Sequence, residues 1–215
     1  MKKGILMLVL LGLLVTLGGG AFVSAAGVDI KLEAPAKTLH VDLMDALKLR
    51  QSTRGFAAKE MSWQDLATIL WAANGINRQN GKRTAPSAYG KYFIDIYVAA
   101  NQGLYRYDPT GNLLKWVSNN NIKSQSGTQA DIGAASFVLI MVADFHALMK
   151  PEERVAVANG TAGTIAENVY LTAAALNLGT RLVASVNVKA IRENLNLNQE
   201  QVPLYIMPLG YPKGK

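Results

Sequence analysis

Seven consecutive apolar residues, Phe137, Val138, Leu139, Ile140, Met141, Val142 and Ala143, constrain the fold more than any other stretch of the chain. A strand with one wet face alternates apolar and polar side chains, so an unbroken apolar run of strand length reads as a buried strand. Residues 92–100 alternate and are rich in β-formers. Residues 104–107 and 113–117 flank Asp108-Pro109-Thr110-Gly111-Asn112, a turn sequence, and read as a hairpin. Residues 181–186 and 204–209 read as further strands.

Helices are interspersed. Val41, Leu43, Met44 and Leu47 lie at helical spacing and predict a short helix over 41–49. Ser62 is a suitable N-cap for a helix carrying Trp63, Leu66, Ile69, Leu70 and Ala73 and ending near Gly75. Pro151-Glu152-Glu153 begins another helix. Residues 162–176 form a long alanine-rich helix closed by Gly179, and residues 188–195 a short one. Strands and helices mix without a regular βαβ alternation, which points to an α+β fold.

The first 26 residues stand apart. Met1-Lys2-Lys3 precedes an apolar stretch, three glycines and Ala21-Phe22-Val23-Ser24-Ala25-Ala26, the layout of a secretory signal peptide cleaved after Ala25 or Ala26. An uncleaved membrane anchor is the alternative, because residues 4–27 are uncharged and long enough to span. No cysteine exists to carry a lipid. The expected organisation is a signal peptide over 1–26, an extended tether over 27–40, and one domain over 41–215. Removing the leader's two lysines takes the net charge from +7 to +5. The remaining cations are scattered, which argues against a nucleic-acid partner.

Much chemistry has no apparatus here. Zero cysteine excludes disulfides, thiolate metal sites and a cysteine nucleophile. Two histidines, His40 and His146, without a paired ligand motif make a metal site improbable. No nucleophile elbow and no phosphate-cradling glycine loop appears. Oxyanion-binding groups do appear. Arg50, Ser52 and Arg54 share one turn and suit a phosphate, although a solvated basic turn is the plainer reading of these residues alone. Pro86-Ser87-Ala88 lies in a loop before a strand. Lys213 and Lys215 lie in a short basic tail.

Together these segments resemble the nitroreductase family of FMN-dependent oxidoreductases over roughly residues 41–213. The matching pieces are Arg50-Gln51-Ser52-Thr53-Arg54-Gly55-Phe56, Leu70-Trp71-Ala72-Ala73-Asn74-Gly75-Ile76-Asn77 leading to Arg83-Thr84-Ala85-Pro86-Ser87-Ala88, Glu167-Asn168-Val169-Tyr170-Leu171 with the alanines that follow, and Leu209-Gly210-Tyr211-Pro212. The Pro-Ser-Ala variety is most similar to the subgroup containing thiazole- and oxazole-forming dehydrogenases. The resemblance implies a mixed, mainly antiparallel sheet flanked by helices, and a homodimer with FMN at the subunit interface. Arg50 and Ser52 would hold the FMN phosphate, helped by Lys213 or Lys215. Gln51 would lie along the ribityl chain. Arg54 would face the pyrimidine edge, where negative charge appears on reduction. Pro86, Ser87 and Ala88 would pack beside the isoalloxazine, and Val183, Ala184 and Ser185 would place a backbone N–H near flavin N5. Chemistry would then be carried by the flavin, with no catalytic side chain and no metal. Ala184-Ser185 departs from the family pattern, in which glycine is common.

An exported protein does not meet free NADH or NADPH at useful concentration. The expectation is an exported, periplasmic or secreted, oxidoreductase that takes electrons from a quinol or redox partner and passes them to a small nitro compound or quinone. The alternatives are a non-catalytic flavin-binding relative and an oxidase of a peptide azoline.

Overall fold

The computed structural model describes residues 27–147 and 151–214. The expected signal peptide and Lys215 lie outside the described residues. One sheet organises the domain. In chain order its strands are β1 (Ile30–Lys31), β2 (Ile94–Ala100), β3 (Gly103–Asp108), β4 (Leu113–Ser118), β5 (Phe137–Asp144), β6 (Gly179–Thr180) and β7 (Gln201–Gly210). Their spatial order is β1-β4-β3-β2-β5-β7-β6, with every pairing antiparallel. Helices α1 (Leu43–Leu49), α2 (Trp63–Asn74), α3 (Arg154–Ala175) and α4 (Val188–Leu195) flank it. The α+β expectation with a mainly antiparallel sheet holds.

The apolar run of β5 is explained by its neighbours. Phe137, Leu139, Met141 and Ala143 belong to the core shared with α2 and α3. Val138, Ile140 and Val142 belong to a second core with Ile132 and with Ile191 and Leu195 of α4. Both faces of β5 are covered, so neither can be polar. The helix ends follow their side chains. Ser62 accepts the N–H of Asp65 at 3.0 Å, as its N-cap role predicts, and Asp42 and Asn187 do the same for α1 and α4.

Four expectations change. Residues 27–40 are largely extended, but the segment lies on the fold and is not a free tether. Ile30 and Lys31 pair with Leu114 and Leu113, Leu32 is buried, and Ala36 N–H donates to Thr68 Oγ1 at 3.1 Å. The helix expected over 162–176 is the second half of one 22-residue helix, α3, entered through a short 3-10 turn at Pro151–Glu153. Asn177, not Gly179, closes it. Asn177 is left-handed at φ 56°, its N–H donates to Ala174 O at 3.1 Å, and the Leu178 N–H donates to Ala173 O at 2.8 Å, the two bonds of a Schellman cap. Residues 181–186 do not form a continuous strand. Val183 bridges Ile206 and Val186 bridges Gly127, while Ala184 and Ser185 between them are exposed. Arg181, only 5 % exposed, commits its side chain to an inward ion pair.

Candidate functional site

The Arg50 turn begins where α1 stops. Arg50 caps α1 with its N–H on Ala46 O and then turns extended at φ −57°, ψ 123°. Extended backbone alternates its side chains. Thr53 is therefore buried while Ser52 and Arg54 are exposed. The turn is stitched to two distant segments. Ser52 bridges Thr180 in parallel, and the Thr53 N–H donates to Thr180 O at 2.9 Å. Phe56 bridges Pro212, the Ala57 N–H donates to Tyr211 O at 2.9 Å, and the Lys213 N–H donates to Gly55 O at 3.2 Å. Residues about 160 positions apart in sequence thus share one edge of the fold.

Tyr170 of α3 is the hub of this edge. Its ring lies 5.3 Å from the Arg50 guanidinium carbon, a cation–π distance. Its hydroxyl is 3.0 Å from Ser52 Oγ and accepts the Leu182 N–H at 2.7 Å. Gln51, Thr53, Tyr170, Thr180 and Pro212 line a small cavity beneath the turn. Arg50, Arg54 and Lys213 have no carboxylate partner among the described residues. Arg50 beside the Ser52–Tyr170 hydroxyl pair, with Arg54 and Lys213 on the adjoining backbone and none of the three paired to a carboxylate, suits an anionic ligand.

Behind the turn lies an ion pair that sequence reasoning missed. Asp131 accepts Arg181 through both carboxylate oxygens, at 2.7 and 2.8 Å, and Oδ2 also accepts the Gly55 N–H at 2.8 Å. Arg181 further donates to Thr53 O at 2.9 Å. Gly55 sits at φ 75°, a left-handed conformation that an unbranched Cα adopts cheaply. The Arg181 hydrogen bonds, with that of Gly55, hold the Asp131 carboxyl below the usual carboxylate range against its partial burial.

The 183–185 segment approaches the same edge. The Val183 N–H is spent on Ile206 O at 2.9 Å, so it is not available to a ligand. The N–H groups of Ala184 and Ser185 have no backbone acceptor among the described residues, while Ser185 O accepts the Thr128 N–H at 3.2 Å and the Ser185 side chain accepts from Gln129. Glycine is not required for this backbone to be presented.

Pro86, Ser87 and Ala88 are not brought to this edge. They line a cleft with Val157, Gly160, Thr161 and Thr164, in the first half of α3. From Thr164 to Tyr170 is six residues, about 9 Å of helix rise, and from Val157 about 20 Å. Ser87 Oγ donates to Lys91 O within the loop, and the Tyr89 hydroxyl donates to Glu153 in the 3-10 turn that precedes α3. The expected site residues therefore fall into two groups along one helix, with Lys215 outside the described residues. Tyr170 lies within a family-like stretch of sequence, but the contact made by its hydroxyl had no signature. Asp131 had no local signal of any kind.

Comparison with known proteins identifies the family to which this fold belongs. The Nitroreductase family model matches residues 47–211. A protein of Methanocaldococcus jannaschii with a provisional nitroreductase name is 29% identical over 182 residues, covering 79% of this chain and 91% of its own. A crystal structure from Ralstonia eutropha JMP134, also provisionally described as a nitroreductase, superimposes with a TM-score of 0.83 at 36% identity, covering 90% of this chain and 93% of that one. The Escherichia coli microcin synthetase complex McbBCD contains a chain of similar fold, with a TM-score of 0.66 at 21% identity over 83% of this chain and 76% of that one. With the family model spanning most of its length, the chain belongs to the nitroreductase family.

Proposed function

We propose that this protein is an exported, FMN-dependent oxidoreductase acting on a small organic acceptor such as a quinone or nitro compound. The observation that carries the reading is the convergence of Arg50, Ser52, Arg54 and Lys213 on one edge, cations without carboxylate partners, beside the unengaged N–H groups of Ala184 and Ser185. This donor set fits FMN. Arg50, Ser52 and Lys213 would bind the phosphate, Gln51 would lie along the ribityl chain, and Arg54 would offset charge at the pyrimidine edge. Bound FMN would supply the redox step, and the protein would orient it and set its potential.

The split between the Arg50 edge and the Pro86-Ser87-Ala88 loop supports a homodimer. A second subunit could present its own loop against the flavin edge of the first. The sequence of the first 26 residues supports export, and hence an electron donor such as a quinol or a redox partner in place of free nicotinamide.

The test is direct. The protein is purified from the export compartment, its visible spectrum recorded, and FMN added to any colourless fraction. Flavin absorbance, followed by oxidation of the reduced protein with a quinone, is the expected result. A protein that carries no flavin and takes up none would overturn the proposal. Flavin that is reducible but passes electrons to no quinone or nitroaromatic would favour a non-catalytic relative.

A further inference from the structure

The Asp131–Arg181 pair has more partners than an ordinary ion pair. On one side it grips the Arg50 turn, through the Gly55 N–H on Asp131 Oδ2 and the Thr53 carbonyl on Arg181. On the other side Arg181 leads directly into Leu182, whose N–H is held by Tyr170, and then into the Ala184 and Ser185 N–H groups. The stretch that carries Asp131 reinforces this second grip. Gly127 bridges Val186, the Thr128 N–H donates to Ser185 O, the Gln129 side chain donates to Ser185, and Ser126 O accepts the Asn187 N–H at 2.9 Å. The segment from Ser126 to Asp131 therefore contacts both the Arg50 turn and the 184–187 backbone. Arg181 is almost fully buried, and its guanidinium meets one carboxylate in fork geometry.

From this geometry we infer that Asp131 and Arg181 are positioning residues that fix the phosphate-facing turn (Arg50, Ser52) relative to the N–H groups of Ala184 and Ser185. The inference rests on the FMN reading above. Neither residue touches the flavin. Each acts through Thr53, Gly55 and the 182–185 backbone. Loss of the pair would remove the side-chain ties between the turn and the strand end, loosening their relative position, while the Thr53–Thr180 and Gly55–Lys213 backbone bonds and the sheet ladder remain. The ligand part that should suffer is the phosphate. Its oxygens need several donors at set positions, whereas a flat ring tolerates a shifted wall.

FMN and riboflavin differ only in that phosphate, so their affinity ratio reports the turn and not general stability. The experiment measures dissociation constants for both, by flavin fluorescence, on the full-length folded protein and on the variants Asp131→Ala, Asp131→Asn and Arg181→Lys, with circular dichroism to confirm folding. The parent should prefer FMN. Asp131→Ala should lose tenfold or more in FMN affinity with little change for riboflavin, so the preference collapses. Asp131→Asn, which keeps an acceptor for the Gly55 N–H, should retain part of it and remains informative if the alanine variant fails to fold. Arg181→Lys should fall between parent and Asp131→Ala. Equal losses for both ligands would reduce the pair to a stability element and overturn the inference, as would parent-like preference in Asp131→Asn and Arg181→Lys. A parent that binds neither flavin would overturn the FMN reading and this inference with it. A parent that binds FMN beside indifferent variants would remove the inference alone.

Discussion

A single methyl group at Gly179 should pry the Arg50 turn off the sheet edge. An ideal Cβ built on Gly179 would lie 2.6 Å from Thr53 Cγ2, 2.8 Å from Thr53 Cβ and 2.8 Å from Thr53 Oγ1. Carbon atoms pack at about 3.5–4.0 Å, so all three contacts are well inside repulsion. Rotating Thr53 cannot relieve them, because its Cβ is carried by the backbone. That backbone is bonded through its N–H to Thr180 O, one residue from Gly179. The turn must move, and Ser52 and Arg54 move with it. Overpacking of this kind costs about 1–3 kcal/mol. For a domain of this size each kcal/mol lowers the melting temperature by about 2–4 °C, so Gly179→Ala should melt about 2–12 °C below the parent. FMN affinity should fall alongside, roughly tenfold for each 1.4 kcal/mol of binding energy lost. Thermal melts followed by circular dichroism, with flavin titrations on the same samples, make the measurement. Adding Thr53→Ala removes two of the three contacts and should recover part of the loss, leaving the Cβ contact at 2.8 Å. A Gly179→Ala protein that melts with the parent and binds FMN equally well would refute the reasoning.

Further outcomes follow from the same geometry. Arg50→Ala should weaken FMN binding by about 1.5–3 kcal/mol, the range for a charge-assisted hydrogen bond, and an unchanged dissociation constant would remove Arg50 from the site. Asp131 titrates below the ordinary carboxylate range because Arg181 and the Gly55 N–H stabilise its anion. Its contribution is therefore present above the unfolded-state pKa and is lost as pH falls through the lower folded value. Melting temperatures from pH about 5 to about 3 should drop less steeply in Asp131→Asn than in the parent. Lys123 is buried and donates to Ala135 O at 2.7 Å and Ser136 O at 3.4 Å, and burial pushes its ammonium below the usual lysine range. The unfolded chain then holds that proton to higher pH, so the contribution of Lys123 to stability grows as pH rises between the two values. In urea melts taken as pH rises towards the ordinary lysine pKa of about 10.4, the stability difference between the parent and Lys123→Met should shift in the parent's favour, and a constant difference up to that pH would contradict the assignment.

Most of the elements were legible because their causes are local. The capping Ser62, the Asp108-Pro109-Thr110-Gly111-Asn112 turn and the two-faced apolar run of β5 act within a few residues of themselves. The Arg50, Ser52 and Lys213 set was legible as chemistry, since cations and a hydroxyl advertise an anion wherever they lie. Three features were not legible. Residues 27–40 show no strand pattern, yet they find β4 and α2. Residues 181–186 have strand composition, yet a buried guanidinium and two exposed residues take them away from the sheet edge. Asp131 looks like any loop aspartate until Arg181, fifty residues later, and Gly55, seventy-six residues earlier, meet on its two oxygens.

The residues by themselves therefore determined most of the helices and strands, the two-sided burial of β5, and which side chains carry charge suited to an oxyanion. Tertiary structure decided which of those side chains share a place. It joined Arg50, Ser52, Tyr170 and Lys213 on one edge and held Pro86, Ser87 and Ala88 further along α3. The physical reason is range. Helix caps, turns and hydrophobic periodicity are short-range effects written in neighbouring residues. The bonds that set the distance between a phosphate-facing turn and a pair of backbone N–H groups are made between segments far apart in the chain, which only the packed fold brings together.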